Sequence, residues 1–159
     1  MFDVLWQAVA IGVGATVFMD LWAFALARLG VTGPVNWAPV GRWFWHLGKG
    51  IVFHDDIAAA TPYRHEQALG WIAHYAVGII YGVVFVLLMG QSWLQAPTFL
   101  PAWIFALVTI CAGWFLLQPG LGLGWAASRL PNANKVRLLN LAAHTVFGFG
   151  LYVTALLVG

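Results

Sequence analysis

The sequence predicts an all-α membrane protein in which four transmembrane helices form a bundle, with an interfacial tryptophan-rich segment between the first two. Of its 159 residues, 62% are hydrophobic and only 8% are charged, whereas a soluble domain carries roughly 25% charged residues. Four apolar stretches are each long enough to cross a hydrocarbon core, which needs about 20 helical residues. All seven Lys and Arg residues lie within 28–64 and 129–137. The lipid bilayer is therefore the expected surrounding of most side chains.

The four predicted spanning helices cover residues 4–27, 69–89, 99–117 and 138–158. In lipid every backbone polar group needs an internal partner, which favours helices over strands for segments of this length. Thr61-Pro62 can open the second helix, and Gln118-Pro119-Gly120 ends the third. We expect residues 1–159 to form a single integral membrane domain.

The first helix is predicted to span the membrane instead of acting as a cleaved signal peptide. Its apolar run, from Val4 to Ala27, is longer than the roughly 7–15 apolar residues of a signal peptide. Arg28 follows the run, and no basic residue precedes it.

The segment at residues 36–60 contains an unusual concentration of aromatic and basic side chains. Residues 36–46 include Trp37, Arg42, Trp43, Trp45 and His46. Trp and Arg favour the headgroup region, where rings are half buried and cations reach water. We therefore expect one or two short helices lying in the membrane interface. A loop packed on the ends of the spanning helices fits the same chemistry.

The positions of the basic residues predict the orientation in the membrane. Lys and Arg are concentrated in cytoplasmic loops, and here they follow the first and third helices. Both chain ends and the loop at residues 90–98 then lie on the opposite side. The prediction is a multi-pass protein of the bacterial inner membrane with a periplasmic N-terminus and C-terminus. The small net charge of +2 is a topology signal, and we expect no nucleic-acid partner.

Several short motifs together resemble a known family. They are Met19-Asp20-Leu21-Trp22-Ala23, Asn36-Trp37 with Val40-Gly41-Arg42-Trp43, Leu69-Gly70-Trp71 with His74-Tyr75, and Ala126-Ala127-Ser128-Arg129. In this order they are similar to small bacterial inner-membrane proteins classified only as a domain of unknown function. The resemblance spans nearly the whole chain. It implies a four-helix membrane protein and supplies no activity.

Three polar residues within the apolar stretches are the candidate site: Asp20, His74 and His144. Asp20 lies about eight residues, or roughly 12 Å, inside the end of its helix. An ionised carboxylate at that depth costs several kcal/mol unless it is paired, protonated or hydrated. We expect the three side chains to share one layer in the cytoplasmic half of the membrane. A carboxylate with two imidazoles suits a divalent metal or a proton relay. The structural alternative is that Asp20 bonds to His74, His144 or a Tyr.

Three functions fit this layer and its surroundings. The first is a protein that binds or moves a small cation or protons, with transport through a homodimer. The second is a b-type haem protein in which His74 and His144 are the axial ligands and Gly78 and Gly148 leave room for the macrocycle. The third is a non-catalytic accessory or assembly subunit whose tryptophan-rich segment contacts a membrane partner protein. A divalent metal or haem b would be the cofactor in the first two cases.

The sequence favours a role other than catalysis. No serine–histidine–carboxylate arrangement, paired carboxylate centre or phosphate-binding loop has usable spacing. Four polar residues of the first loop, namely His46, His54, Asp55 and Asp56, are interpreted as solvated interfacial groups, with metal binding as the alternative.

Overall fold

The computed structural model describes residues 2–159, and every regular element in that range is helical. The five main helices are α1 (Phe2–Arg28), α2 (Ala38–Leu47), α3 (Glu66–Gln95), α4 (Phe99–Gly120) and α5 (Ala133–Val158). All of them except α2 are long and apolar enough to cross a membrane. The predicted fold class, an all-α membrane protein with four spanning helices, is confirmed.

The spanning helices are longer than the apolar stretches from which they were predicted. α5 starts at Ala133, five residues before the predicted start at Leu138. Its first turns contain Asn134, Lys135 and Arg137. Hydropathy detects only the part of a helix that lipid can accept, while the backbone stays helical through polar flanking residues.

α3 contains an interruption close to its predicted end. Gly90 has φ 72° and ψ −178°, which is outside the helical region, and helical residues resume as far as Gln95. Glycine adopts a positive φ without the steric penalty that a Cβ would impose. The break at Gly90 therefore marks the predicted end at residue 89, and residues 91–95 add a short helical stretch.

α4 contains a π-helical turn at Gly113–Leu117, immediately before its end. Pro119 has no N–H, and its ring would crowd the carbonyl of residue 115 in a regular α-helix. The wider turn, closed by the Gln118 N–H donating to the Gly113 carbonyl, accommodates the proline. π-Turns inside helices are rare and frequently occur at functional sites.

The chain divides into two compact units, which are described separately. The first unit contains residues 2–34, 75–109 and 141–159, so all four spanning helices contribute to it. Its buried core is Ala8, Ile11, Ala15, Phe85, Val86, Trp93, Leu94, Ala102, Ala106, Phe147, Leu151 and Ala155. The small members of this core let the helix backbones approach closely, as is typical of membrane helix packing.

The second unit contains residues 35–74 and 110–140. Its core is Trp43, Ile57 and Leu121. Hydrogen bonds from the His54 N–H to the Gly120 carbonyl and from the Ile57 N–H to the Leu121 carbonyl, both 3.2 Å, join its two segments. Gly122 has φ 87°, and a Cβ there would meet the Asp55 carbonyl, so this position requires glycine.

Candidate intramembrane polar site

Asp20 lies on α1 with only 7% of its surface exposed. The Tyr75 hydroxyl, on α3, donates a hydrogen bond of 2.7 Å to Asp20 Oδ2. A carboxylate inside a spanning helix requires such a donor, because hydrocarbon offers none. The sequence suggested His74, His144 or a tyrosine as partners of Asp20. Within the first unit, a tyrosine makes this contact.

Close packing between α1 and α3 holds this pair in place. Thr16, one turn before Asp20, donates its hydroxyl to the Gly12 carbonyl at 2.8 Å. A Cβ on Gly78, one turn after Tyr75, would collide with the Thr16 hydroxyl. The glycines therefore set the helix separation that the Tyr75–Asp20 hydrogen bond requires.

His144, on α5, has a defined tautomer. Its Nδ1 lies 2.9 Å from the Ala106 carbonyl and 3.0 Å from the Thr109 hydroxyl oxygen. A carbonyl oxygen only accepts, so Nδ1 carries the hydrogen and Nε2 of the neutral ring has the lone pair. An Nδ1–H held by a backbone carbonyl is also the usual orientation of a metal-ligating histidine.

His74 belongs to the second unit, where it stacks on an aromatic ring. Its ring centroid lies 4.0 Å from that of Trp37, with 23° between the ring planes. Trp71 adds a T-shaped contact at 6.0 Å. A Cβ on Gly70 would lie 2.8 Å from the Trp37 carbonyl carbon, so glycine lets the Trp37 backbone approach α3.

Within residues 2–159, no group of three or more His, Cys, Asp or Glu side chains is arranged to hold a metal ion. Divalent metal binding by Asp20, His74 and His144, and haem ligation by the two histidines, stay predictions. The glycines one turn beyond these histidines are explained by helix packing. A Cβ on Gly148 would lie 2.9 Å from Trp103 Cα.

The second unit contains a polar cluster that sequence reasoning did not anticipate. Arg42 donates two hydrogen bonds to Glu66, from Nε to Oε2 at 2.8 Å and from Nη2 to Oε1 at 2.9 Å. Its Nη1 donates to the carbonyls of Ile57, Ala58 and Ala60 at 2.9–3.1 Å. The hydrogen bond with Glu66 raises the pKa of the Arg42 guanidinium. The sequence predicted Arg42 to be a topology signal and a headgroup-region cation within a family motif, and it did not predict the contact with Glu66.

A second pair in this unit is formed by His46 and His54. The His46 ring is buried, with 7% of the residue exposed, in contrast to the expected solvated group. His46 Nδ1 lies 2.9 Å from His54 Nε2. An open cavity of about 420 Å³ lies beside the pair, lined by Phe53, His54, Asp55, Pro119, Gly124, Trp125 and Arg129.

Comparison with curated proteins and with solved structures finds no match. A family model described as "Protein of unknown function (DUF2938)" matches residues 9–158. The match includes all three residues of the predicted site and both polar pairs of the second unit. Together with the four apolar helices, it agrees with the resemblance seen in the sequence. This membrane protein therefore belongs to the DUF2938 family.

Proposed function

We propose that the protein binds an exchangeable proton, or a small cation in its place, at Asp20 within its spanning helices. The observation that carries this proposal is a buried carboxylate on α1 that accepts a hydrogen bond from Tyr75. Ionisable side chains inside spanning helices are costly, and ion pathways and proton relays are among the sites that they mark.

The Tyr75 hydroxyl supports proton exchange at this position because it can pair with either form of Asp20. A phenol hydroxyl donates to the ionised carboxylate and accepts from the protonated one. Rotation of one O–H bond is enough to switch between the two. The pair can therefore gain or lose a proton without moving a helix.

The number of available ligands favours a proton over a divalent metal. A proton needs one carboxylate, whereas zinc and similar ions take about four ligands. No group of three metal-binding side chains occurs among residues 2–159. A divalent ion at Asp20 would therefore need water or backbone oxygens to complete its ligand shell. Transport of a proton or cation, with a homodimer supplying the path, extends this proposal.

The test is thermal stability in detergent, between about pH 5 and 8, for wild type, Asp20→Asn and the control Asp3→Asn. Asp3 is exposed in the first turn of α1. The amide keeps the shape of Asp20 and removes its titrating group. We expect the melting temperatures of wild type and Asp3→Asn to change with pH in the same way. Part of that change should be missing in Asp20→Asn.

The same samples, with divalent metals or haem added, distinguish the ligands. A metal that stabilises wild type and not Asp20→Asn would show that the cation is a metal. Equal responses of wild type and Asp20→Asn to pH and to every additive would leave Asp20 with a structural role only.

A further inference from the structure

His46 and His54 form a continuous chain of short contacts within the second unit. His46 Nε2 lies 2.9 Å from the Thr61 carbonyl oxygen, and His54 Nδ1 lies 2.8 Å from the Gly120 carbonyl oxygen. The other two ring nitrogens, His46 Nδ1 and His54 Nε2, face each other at 2.9 Å. All four ring nitrogens of the pair are therefore engaged.

Counting hydrogens shows what these three contacts require. The two carbonyl oxygens can only accept, so each imidazole must donate its carbonyl-facing N–H. A neutral imidazole has one N–H, and both are now used. The facing nitrogens would then present two lone pairs to each other at 2.9 Å. Only a third proton, placed between them, turns this contact into a hydrogen bond.

We propose that His46 and His54 bind one added proton between them and form an imidazole–imidazolium pair. Two neutral rings leave two opposed lone pairs, and two charged rings leave two opposed N–H groups. The singly protonated pair alone satisfies all three contacts. The site thus holds one positive charge on a histidine pair that the sequence had placed among solvated loop residues.

The charged groups around the pair are already engaged elsewhere or lie toward the cavity. On α2, Arg42 binds Glu66 and three carbonyls. Just after α2, the Lys49 ammonium lies 4.8 Å from the centroid of the Trp45 ring. Asp56 accepts the Ala58 N–H. Asp55 and Arg129, which have opposite charges, line the same cavity as His54.

A proton fits the ligand set better than a metal does. Each facing nitrogen belongs to a ring anchored by a backbone carbonyl, which is also how metal-ligating histidines are held. Zinc and similar ions take about four ligands, and residues 2–159 contain no group of three His, Cys, Asp or Glu side chains arranged to supply them. A proton needs only the two nitrogens that are present.

The shared proton has a structural consequence inside the second unit. It connects the last turn of α2 to the segment at His54, while the carbonyl contacts reach Thr61 and Gly120. Raising the pH removes the shared proton, and the two lone pairs then face each other. Lowering the pH adds a second proton, and two positively charged rings then repel each other. The segment carrying His54 should therefore be held most firmly at intermediate pH.

The first experiment is nitrogen NMR of the full-length protein in detergent micelles, with ¹⁵N-labelled histidine. At neutral pH we expect N–H signals from the two carbonyl-facing nitrogens. The two facing nitrogens should give signals between those of a protonated and an unprotonated ring nitrogen, because they share one proton. Two clear lone-pair signals at the facing nitrogens would overturn the proposal, and this measurement needs no variant.

The second experiment compares thermal stability from about pH 5 to 9 for wild type, His54→Gln, His46→Gln and His65→Gln. The glutamine amide donates an N–H to the remaining imidazole without an added proton. His65 is an exposed histidine of the same segment, in ring contact with Tyr63, and is the matched control. We expect either pair variant to lose most of the pH-dependent shift in melting temperature that His65→Gln retains.

Two results of the second experiment would contradict a shared proton. One is the same pH dependence in His54→Gln as in His65→Gln. The other result needs Zn²⁺, Cu²⁺ or Ni²⁺ added to the same samples. Strong stabilisation of wild type by one of these ions that is absent in His54→Gln would assign the facing nitrogens to a metal.

Discussion

The hydrogen bond from Tyr75 lowers the cost of the Asp20 carboxylate inside a spanning helix. The sequence alone identified Asp20, because a carboxylate within a largely apolar stretch of 24 residues stands out. It could not identify Tyr75, since tyrosine is common in membrane helices and its partner depends on how α1 and α3 pack. The same limit applies to His46 and His54, whose contact depends on the course of a loop.

Tyr75→Phe is expected to lower the free energy of unfolding by about 0.6–2 kcal/mol, because the carboxylate loses a donor that lipid cannot replace. Tyr152→Phe is the control, because the Tyr152 ring packs against Phe99. In a double-mutant cycle, Tyr75→Phe should cost less in the Asp20→Asn background. Strictly additive effects would show that the two side chains do not act together.

Arg42→Lys is expected to destabilise the protein by about 1.5–3 kcal/mol, the range for hydrogen bonds to charged groups. Lysine keeps the charge but cannot make the two-point contact with Glu66 or reach the three carbonyls at once. Arg64→Lys, at an exposed position nearby, is the control. Equal melting temperatures for both variants in detergent would contradict this role of Arg42.

At the scale of the elements, hydropathy predicted each spanning helix and underestimated the length of all four. The extra residues include polar ones at helix ends, such as Asn134 and Lys135 in α5, and residues beyond a backbone irregularity, as at Gly90 in α3. The π-turn of α4 could not be predicted, because Pro119 can be accommodated in several ways and packing selects one. α2 falls inside the segment where one or two short helices were expected.

Gly82→Ala tests the close contact between α1 and α3. A Cβ on Gly82 would lie 2.6 Å from the Ala8 carbonyl oxygen, too close without a backbone shift. We expect a loss of about 1–3 kcal/mol, as for other overpacked cores. Gly113→Ala is the control, because a Cβ there meets nothing within 4 Å. If Gly82→Ala melted at the wild-type temperature, the helix separation would not depend on this glycine.

At the scale of the whole molecule, composition and hydropathy were sufficient for the fold class. Large apolar side chains such as Leu87, Val108 and Leu157 are more than half exposed. Such surfaces are stable when lipid covers them. The function could not be predicted to the same depth, since one buried carboxylate is compatible with several ligands.

The orientation remains a prediction of the positive-inside rule, with both basic loops in the cytoplasm. Reporter fusions at Ala96, just after α3, and at Gly159 should report the periplasm, and a fusion at Gly50 should report the cytoplasm. Ala96 is chosen because α3 ends at Gln95. A cytoplasmic signal at Ala96 or Gly159 would reverse the proposed orientation.

The most direct measurement of the central claim is infrared difference spectroscopy of the protein in lipid nanodiscs as the pH is lowered. A protonated carboxylic acid has a carbonyl band that its ionised form lacks. Asp55, Asp56 and Glu66 add their own carbonyl bands in every variant, so the comparison is between difference spectra. We predict one band component that appears with acidification in wild type and Asp3→Asn and is missing in Asp20→Asn. Carbonyl bands that are identical in wild type and Asp20→Asn would show that Asp20 does not exchange a proton and would contradict the proposed function.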